Sequence, residues 1–249
     1  MPISSNAISG QSMISFENIS FSVAGRTLVK NSTVSIPNGH KVGLVGKNGT
    51  GKTSLFRLIY GEITLDQGNL KLSKNAQIGG VSQEAPGSSV TLLDTVLASD
   101  RERVDLLQKA EEEKDPLKIA EIQTRLVDID AWSAEARAST ILNGLGFDKH
   151  KQRLACSEFS GGWRMRVALA AVLFSKPDLL LLDEPSNYLD LEGTIWLQAY
   201  ISKYPSTIIL ISHDRALLNN SVNSILHLED KELHLYSGNY ETFAKTRAR

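Results

Sequence analysis

The chain has 249 residues, enough for one large α/β domain or two small ones. Its 27 Lys and Arg and 28 Asp and Glu give a net charge of −1, which excludes a general attraction to nucleic acid or anionic lipid. Cys156 is the only cysteine, which excludes an internal disulfide bond and is typical of a reducing compartment. No apolar stretch approaches the roughly 18 residues of a spanning helix, and no signal-peptide pattern opens the sequence. We therefore expect a cytoplasmic protein with no transmembrane segment of its own.

The chain begins with a segment that differs in composition from the rest. Residues 1–12 are rich in Ser, Asn and Gly and lack apolar periodicity, which predicts a disordered extension or an expression remnant. Residues 13–249 then predict one domain. Partly alternating apolar residues over 14–34, with a turn at 24–26, predict an antiparallel β layer that leads into a short apolar strand at 41–45.

Residues 46–53, the glycine loop, match the pattern G-x-x-x-x-G-K-[ST] between this strand and a predicted helix. Such loops bind phosphate because several N–H groups converge on an anion at the positive end of the following helix. Lys52 is expected to reach the β- and γ-phosphates, and the Thr53 hydroxyl to ligate Mg²⁺. A glycine-rich turn that binds nothing is the alternative. The candidate nucleotide contacts are Gly46, Lys47, Asn48, Gly49, Thr50, Gly51, Lys52 and Thr53.

The middle of the chain predicts helices. Residues 76–83 predict one more short strand that ends at Gln83. Two runs of apolar residues at helical spacing follow, separated by a charged turn that contains Pro116. They predict an arm-like helical hairpin over about 91–130, within a helical subdomain of about 91–175.

Two continuous apolar runs, residues 179–182 and 208–211, are typical of strands buried on both faces of a parallel sheet. The first run ends in Asp183 and Glu184, and the second is followed closely by His213. Strands that alternate with helices predict a doubly wound core, in which ligands lie beyond the carboxyl ends of the strands. We expect the polar residues at these ends to share one edge of the sheet with the glycine loop and Gln83.

This chemistry suits phosphoryl transfer to water. Asp183 is expected to hold Mg²⁺ directly or through water, and Glu184 to act as the general base. Gln83 would contact Mg²⁺ and the attacking water, and His213 would donate to the γ-phosphate. The alternatives are a solvated acidic turn for the two carboxylates and a capping or buried imidazole for His213.

The motifs, taken in order, resemble those of ABC ATPases. They are the Walker A loop (46–53), the Q-loop glutamine (Gln83), the signature (Ser160, Gly161 and Gly162), Walker B (179–185), the D-loop (186–190) and the H-switch histidine (His213). Within this superfamily the chain resembles the first ATP-binding domain of ABC-F proteins of the YheS and Uup type. The segments that carry this resemblance are 130–132, 141–147, 159–166, 212–215 and 236–240.

The resemblance implies an ABC-type P-loop NTPase fold with a parallel core sheet, an antiparallel β layer and a helical subdomain. It implies Mg²⁺-dependent ATP hydrolysis at composite sites, where Ser160, Gly161, Gly162 and Asp190 would contact the ATP of a second ABC domain. That partner would be a second domain of the same parent chain, joined by a linker beginning near 245–249, or a second copy of this fragment. We therefore expect weak turnover by the chain alone.

ABC-F proteins act on the ribosome, so the resemblance implies a translation factor whose hairpin contacts ribosomal components. The hairpin does not look like an RNA-binding surface, because residues 98–130 hold ten acidic and six basic residues. Contacts with protein, or through single arginines such as Arg101, Arg103 and Arg125, are expected instead. The ATPase subunit of a membrane transporter, a DNA-repair ABC protein and a nucleotide switch without turnover are the alternatives.

Three departures from the family pattern are visible. Trp163 replaces the glutamine of the general signature, and Ser186 and Tyr188 replace the usual threonine and histidine of the ABC-F D-loop. Val23 stands where many ABC domains place an aromatic ring that stacks on adenine. The last departure leaves the selectivity for the nucleotide base open.

Overall fold

A computed structural model describes residues 12–249, so the extension predicted for 1–12 lies outside it except for Ser12, which begins the first strand. The strands in this range are β1 (Ser12–Val23), β2 (Arg26–Pro37), β3 (Lys41–Val45), β4 (Gln67–Leu72), β5 (Ile78–Gly80), β6 (Leu179–Asp183), β7 (Thr207–Ile211), β8 (Ser224–Glu229) and β9 (Glu232–Ser237). The α-helices are α1 (Lys52–Ile59), α2 (Leu92–Leu97), α3 (Arg101–Glu112), α4 (Pro116–Asp128), α5 (Ala134–Gly144), α6 (Lys149–Gln152), α7 (Gly161–Ser175), α8 (Leu191–Ser202), α9 (Arg215–Ser221) and α10 (Tyr240–Arg247). None of the helices in the described range is long and apolar enough to cross a membrane.

A three-stranded antiparallel sheet with the order β2-β1-β4 forms the predicted β layer. β1 and β2 are joined by a tight turn in which Ala24 and Gly25 have φ values of +51° and +76°. The register places Phe16 opposite Val34 on one side and opposite Leu70 on the other. β4 lies within residues 61–75, a segment whose sequence is rich in turn-forming residues and does not by itself predict a strand.

The second sheet has six strands in the order β5-β6-β7-β3-β8-β9. The first five are parallel and β9 runs antiparallel to β8, so the predicted parallel core is confirmed with one antiparallel strand added at its edge. β6, β7 and β3 are neighbours, and their carboxyl ends therefore meet at one edge. One apolar core, which includes Phe16, Phe56 and Ile209, packs residues of both sheets with α1.

The predicted hairpin is shorter than expected. Its first arm consists of two helices, because the Asp100 carboxylate accepts from the N–H of Arg103 and begins α3 separately from α2. Pro116 lies in the first turn of α4, as predicted, and Asp115 caps that helix. The hairpin proper is therefore α3 and α4. Leu126 is the only buried residue of α4, and α3 has none.

The described residues form two compact units. The first contains the described residues up to Gly80 together with Pro177–Asn187 and Thr194–Arg249, and it holds both sheets. The second contains Val81–Lys176 and Tyr188–Gly193, and it holds α2 to α7. It begins about ten residues before the predicted helical subdomain and includes a short segment that follows β6 in sequence.

Candidate nucleotide site

The glycine loop connects β3 to α1 in the first unit. Gly49 and Gly51 have φ values of +79° and +110°, a left-handed region that favours glycine. The N–H of Thr50 donates to the carbonyl of Lys47 over 3.2 Å, which closes the turn. Two of the predicted glycines are therefore required by the backbone that the loop adopts.

The loop presents positive charge at the start of α1. The Lys52 ammonium donates to the carbonyls of Gly46 and Lys47, at 2.5 and 3.2 Å. Burial lowers the pKa of Lys52, while Glu184 and Asp183 nearby act in the opposite direction. The first turn of α1 contains no acidic residue, and Gly51 supplies no side-chain cap. The first N–H groups of α1 are thus available to an anion.

Two oxygen atoms from different elements meet beside this loop. The Thr53 hydroxyl, near the start of α1, donates to Asp183 Oδ2 at the end of β6 over 2.9 Å. Because β6 is separated from β3 only by β7, the two residues approach each other at the same sheet edge. A hydroxyl and a carboxylate in contact form a pair of hard oxygen donors.

Glu184 is held in an unusual backbone conformation, with φ of +50°. Its N–H donates to the carbonyl of Ile211 at the end of β7, over 2.8 Å. Its carboxylate accepts from the N–H of His213 at 3.2 Å and from the imidazole Nδ1 of the same residue. The other ring nitrogen lies 3.1 Å from Asn48 Oδ1. The imidazole therefore connects the glycine loop to the Glu184 carboxylate.

These groups line one open cleft of about 450 Å³ in the first unit. The β1–β2 hairpin forms one side of the cleft. Arg26 and Leu28 line this side together with Val23, and the sequence did not predict either of them as a site residue. The available signal was the hairpin itself, since Val23 lies opposite Arg26 in the register. The residues that line the cleft are Val23, Arg26, Leu28, Asn48, Gly49, Gly51, Lys52, Thr53, Ser54, Asp183, Glu184, Ile211 and His213.

In the second unit, residues 160–162 form the start of the 15-residue helix α7. Ser160 is its N-cap residue, makes no side-chain capping bond, and is followed by a first turn without acidic residues. Glu84 pairs with Arg164 at 3.2 Å, and a Cβ at Gly161 would lie 2.4 Å from Glu84 Oε2. Glycine at position 161 is therefore required for this carboxylate to pack against the helix start.

The fold agrees with comparisons to known proteins. A family model described as "ABC transporter" matches residues 29–187. The chain belongs to the ABC transporter family. A solved structure described as "Structure of ATP binding subunit of ABC transporter" matches with a TM-score of 0.69 at 15% identity and covers 95% of this chain and 94% of that one. That of cbiO1 from Clostridium perfringens, described as part of an ABC transporter complex, gives 0.63 at 22% identity, with 96% and 93% covered. The predicted ABC fold is thereby confirmed.

Curated relatives refine the family. "Probable ATP-binding protein YheS" of Escherichia coli (strain K12) is 44% identical over 95% of this chain. "ABC transporter F family member 3" of Arabidopsis thaliana is 42% identical over 94%, and "ATP-binding cassette sub-family F member 3" of Homo sapiens is 41% identical over 94%. The predicted ABC-F resemblance and the class of ABC ATPase domain are confirmed. The chain spans 38%, 36% and 34% of the lengths of these three relatives.

Within this ABC domain, the first unit brings together the Walker A loop, Asp183, Glu184 and His213. Gln83 belongs to the second unit, where it is exposed, and β5 ends three residues before it rather than at it. β5 is short because its last pair with β6 joins Gly80 to Leu181, and no residue after Gly80 pairs with β6. The expectation that Gln83 shares the strand-end edge was therefore based on a strand that is too long. Its role toward Mg²⁺ remains a prediction.

Asp190 also belongs to the second unit, as do the signature residues. One of its carboxylate oxygens accepts from the N–H of Gly193 over 2.8 Å. This bond, with Arg166 as a further contributor, lowers the pKa of Asp190. The carboxylate is thus fixed by its own helix start rather than free in a loop.

Proposed function

We propose that this ABC domain binds ATP with Mg²⁺ and hydrolyses it. The observation that carries the proposal is the contact between Thr53 and Asp183 at 2.9 Å, directly beside Glu184. These three residues supply oxygen donors and a carboxylate base at the positive start of α1. Lys52 and the N–H groups of the loop would bind the phosphates. Lys52 donates only to backbone carbonyls of the loop, and the first turn of α1 contains no carboxylate that would compete with a phosphate.

The pair of Thr53 and Asp183 fits Mg²⁺, which prefers oxygen ligands in octahedral geometry. When bound, the ion would neutralise charge that develops on the phosphate oxygens. Thr53 and Asp183 would hold it, and their contact shows that both oxygens already point to one place. Gln83 is proposed as a further contact to the ion.

Glu184 is the proposed general base. Its side chain is 20% exposed and is held by the backbone and the ring of His213, so its carboxylate has a fixed direction in the cleft. A base that is already oriented does not have to be ordered when the attacking water arrives. His213 is proposed to hold this base and to donate to the γ-phosphate.

We further propose that each ATP is completed by a second ABC domain, of the same parent chain or of a second copy. One support is the start of α7, where Ser160, Gly161 and Gly162 offer N–H groups without a capping side chain. The other is that the chain spans only 38% and 34% of the lengths of two of its relatives. Asp190 would contact the same nucleotide. Specific activity should therefore rise with protein concentration, and a high rate that is independent of concentration would contradict the composite site.

The direct test is Glu184→Gln, with Glu232→Gln as a matched control, because the Glu232 side chain at the start of β9 is exposed. Loss of a general base lowers turnover by about 10²–10⁴-fold. Binding of MgATP, measured by calorimetry, should persist in Glu184→Gln, because the Walker A loop is unchanged. Unaltered turnover in Glu184→Gln would mean either a different base or a nucleotide switch that does not hydrolyse ATP.

We propose a cytoplasmic, ribosome-associated translation factor as the biological setting. The support is the confirmed ABC-F relationship together with the α3–α4 hairpin, which we propose as the arm that the resemblance implies. With ten acidic and six basic residues over 98–130, this arm suits a basic protein surface better than RNA.

The test of this setting is co-sedimentation of the parent protein with ribosomes, with Glu184→Gln and the equivalent change in its second domain. Pelleting that depends on MgATP is expected. Failure to pellet while MgATP still binds would contradict the ribosome role and leave ATP hydrolysis intact. Recovery with membranes would favour the transporter alternative, and recovery with DNA would favour the repair alternative.

A further inference from the structure

Trp163, which departs from the general signature, stacks on a neighbour in its own helix. Arg166 lies one turn further along α7, and its guanidinium carbon is 4.1 Å from the centroid of the Trp163 ring. The indole is fixed in turn by Phe147, whose ring centroid is 5.3 Å away. Lys151 approaches the same indole at 5.4 Å. Stacking of this kind holds the plane of the guanidinium in one orientation.

The oriented guanidinium bonds to a segment far along the chain. Its Nε donates to the carbonyl of Tyr188 over 2.7 Å, and its Nη1 lies 3.4 Å from Asp190 Oδ2. Nη1 also donates to the carbonyl of Leu145 over 3.2 Å. The Arg166 side chain is only 12% exposed, whereas that of Asp190 is 58% exposed. Water therefore competes less for the part-buried bonds to the carbonyls of Tyr188 and Leu145 than for the contact with Asp190.

The segment that receives these bonds is connected to the start of α8. Asp190 accepts from Arg166 with one oxygen and from the N–H of Gly193 with the other, the latter over 2.8 Å. Tyr188–Gly193 forms a compact unit with α7, whereas the residues before and after it, Pro177–Asn187 and Thr194–Arg249, belong to the first unit. This segment therefore packs with α7 rather than with its neighbours in sequence.

A nearby glycine leaves space for the arrangement. Gly146 has φ of +100°, and a Cβ there would lie 3.1 Å from Arg166 Nη1 and 3.6 Å from the Trp163 ring. A Cβ would therefore press on Arg166, whereas its distance from the Trp163 ring is that of ordinary van der Waals contact. The absence of a side chain at Gly146 thus leaves room for Arg166 to stack on Trp163.

We propose that Arg166 is a positioning residue that fixes Tyr188–Gly193 to α7, with Trp163 holding its guanidinium in the orientation required. The signature residues at the start of α7 and Asp190 are then presented together, as one surface, to a nucleotide held by a partner domain. Only this last consequence rests on the proposed composite site. The attachment itself is a property of the described chain and can be tested without nucleotide.

The test is amide hydrogen exchange of Arg166→Met, which keeps the length of the side chain and removes its donors. Loss of a hydrogen bond to a charged group should speed exchange of the Gly193 amide by about tenfold or more. Exchange within the rest of α7 and within α5 should change little. Lys151→Met is the matched control: it removes the other cation from Trp163 and leaves the Arg166 donors to Tyr188 and Asp190 in place, so exchange at Gly193 should stay unchanged.

Two results would overturn the inference. One is unchanged exchange at Gly193 in Arg166→Met, and the other is an equal rise throughout α7 and α5, which indicates general support of the helix. If Arg166→Met does not fold, Arg166→Lys carries the test, because an ammonium keeps the charge but lacks the fork that reaches Tyr188 and Asp190 together. Full protection of Gly193 in Arg166→Lys would then refute the role.

Activity gives a second and separable measurement. In the parent protein, Arg166→Met should lower kcat by about tenfold while the KM for ATP changes less than twofold, because the Walker A cleft is untouched. Faster exchange at Gly193 without any ATPase activity in the wild-type protein would leave the attachment standing and remove the proposed function. If Arg166→Met speeds exchange at Gly193 but leaves kcat unaltered, Arg166 fixes the segment without contributing to turnover, and its role as a positioning residue is refuted.

Discussion

The α3–α4 hairpin should be held to its unit largely by one side chain, and Leu126→Ala tests this. Leu126 is fully buried, whereas no residue of α3 is buried. The exposed ion pair between Glu102 of α3 and Arg125 of α4 contributes at most about 1 kcal/mol and joins the two helices of the hairpin to each other rather than to the unit. Truncation of a buried leucine to alanine costs about 2–5 kcal/mol. A loss of about 3 kcal/mol would raise the population of the undocked hairpin by about 150-fold.

The matched control is Leu117→Ala in the same helix, where the side chain is 77% exposed. Alanine has the higher helix propensity, so neither change weakens α4 as an isolated helix. The assay is native-state hydrogen exchange of peptides within 101–128. Leu126→Ala should speed exchange there and leave α1 unchanged, and Leu117→Ala should have an effect below about 0.5 kcal/mol. Equal responses to the two substitutions, or a loss that extends to α1 and β3, would refute the reasoning.

Three further predictions concern the first unit. Burial lowers the pKa of His227, so protonation of this residue favours the unfolded state, and stability should decline as pH falls below about 6.5. His227→Phe should make that decline smaller, as measured by urea unfolding at pH 7 and at pH 5. Tyr204→Phe removes the donor that the buried Pro177 carbonyl accepts from over 2.6 Å, and should lower the free energy of unfolding by about 1–2 kcal/mol in the same assay. Unchanged stability in that variant would mean that water reaches the carbonyl. Lys52→Met should weaken ATP binding by at least about tenfold in calorimetry while the unfolding midpoint stays within error; a matching loss of stability would mean that the loop has collapsed.

The central strands could be predicted because their environment leaves a clear pattern. β6 and β7 are buried on both faces, so each appears in the sequence as an uninterrupted apolar run. β4 could not be predicted in the same way. Only Leu70 and Leu72 of that strand are partly buried against the core, and its pairing with β1 defines it. Edge strands of this kind depend on a partner that is distant in sequence.

The break between α2 and α3 has a different cause. Leu97 and Val104 are seven residues apart, so the helical period continues across the break and conceals it. α2 ends at Leu97, and the local signal for a new helix is Asp100, which caps α3. Apolar periodicity therefore shows that a segment is helical but not how many helices it contains.

The candidate cleft was predictable where a motif defines it. The glycine loop and the carboxylates after β6 follow from spacing and from the rule that strand ends gather ligands. The link from Asn48 through His213 to Glu184 depends on tertiary contacts between residues 165 and 29 positions apart. No pattern in a single sequence encodes these two contacts. The position of Arg26 depends on the register of the β1–β2 hairpin, which the predicted turn could have indicated.

The left-handed backbone at Glu184 has a consequence for protein engineering. A side chain with a Cβ pays an energetic penalty of about 1–2 kcal/mol at such a φ, and asparagine or glycine tolerates it better. A library selected only for thermal stability should therefore drift toward Asn or Gly at position 184 and become more heat-resistant as it becomes inactive. Screens for robust variants of this domain need to include turnover at every round, or hold position 184 fixed.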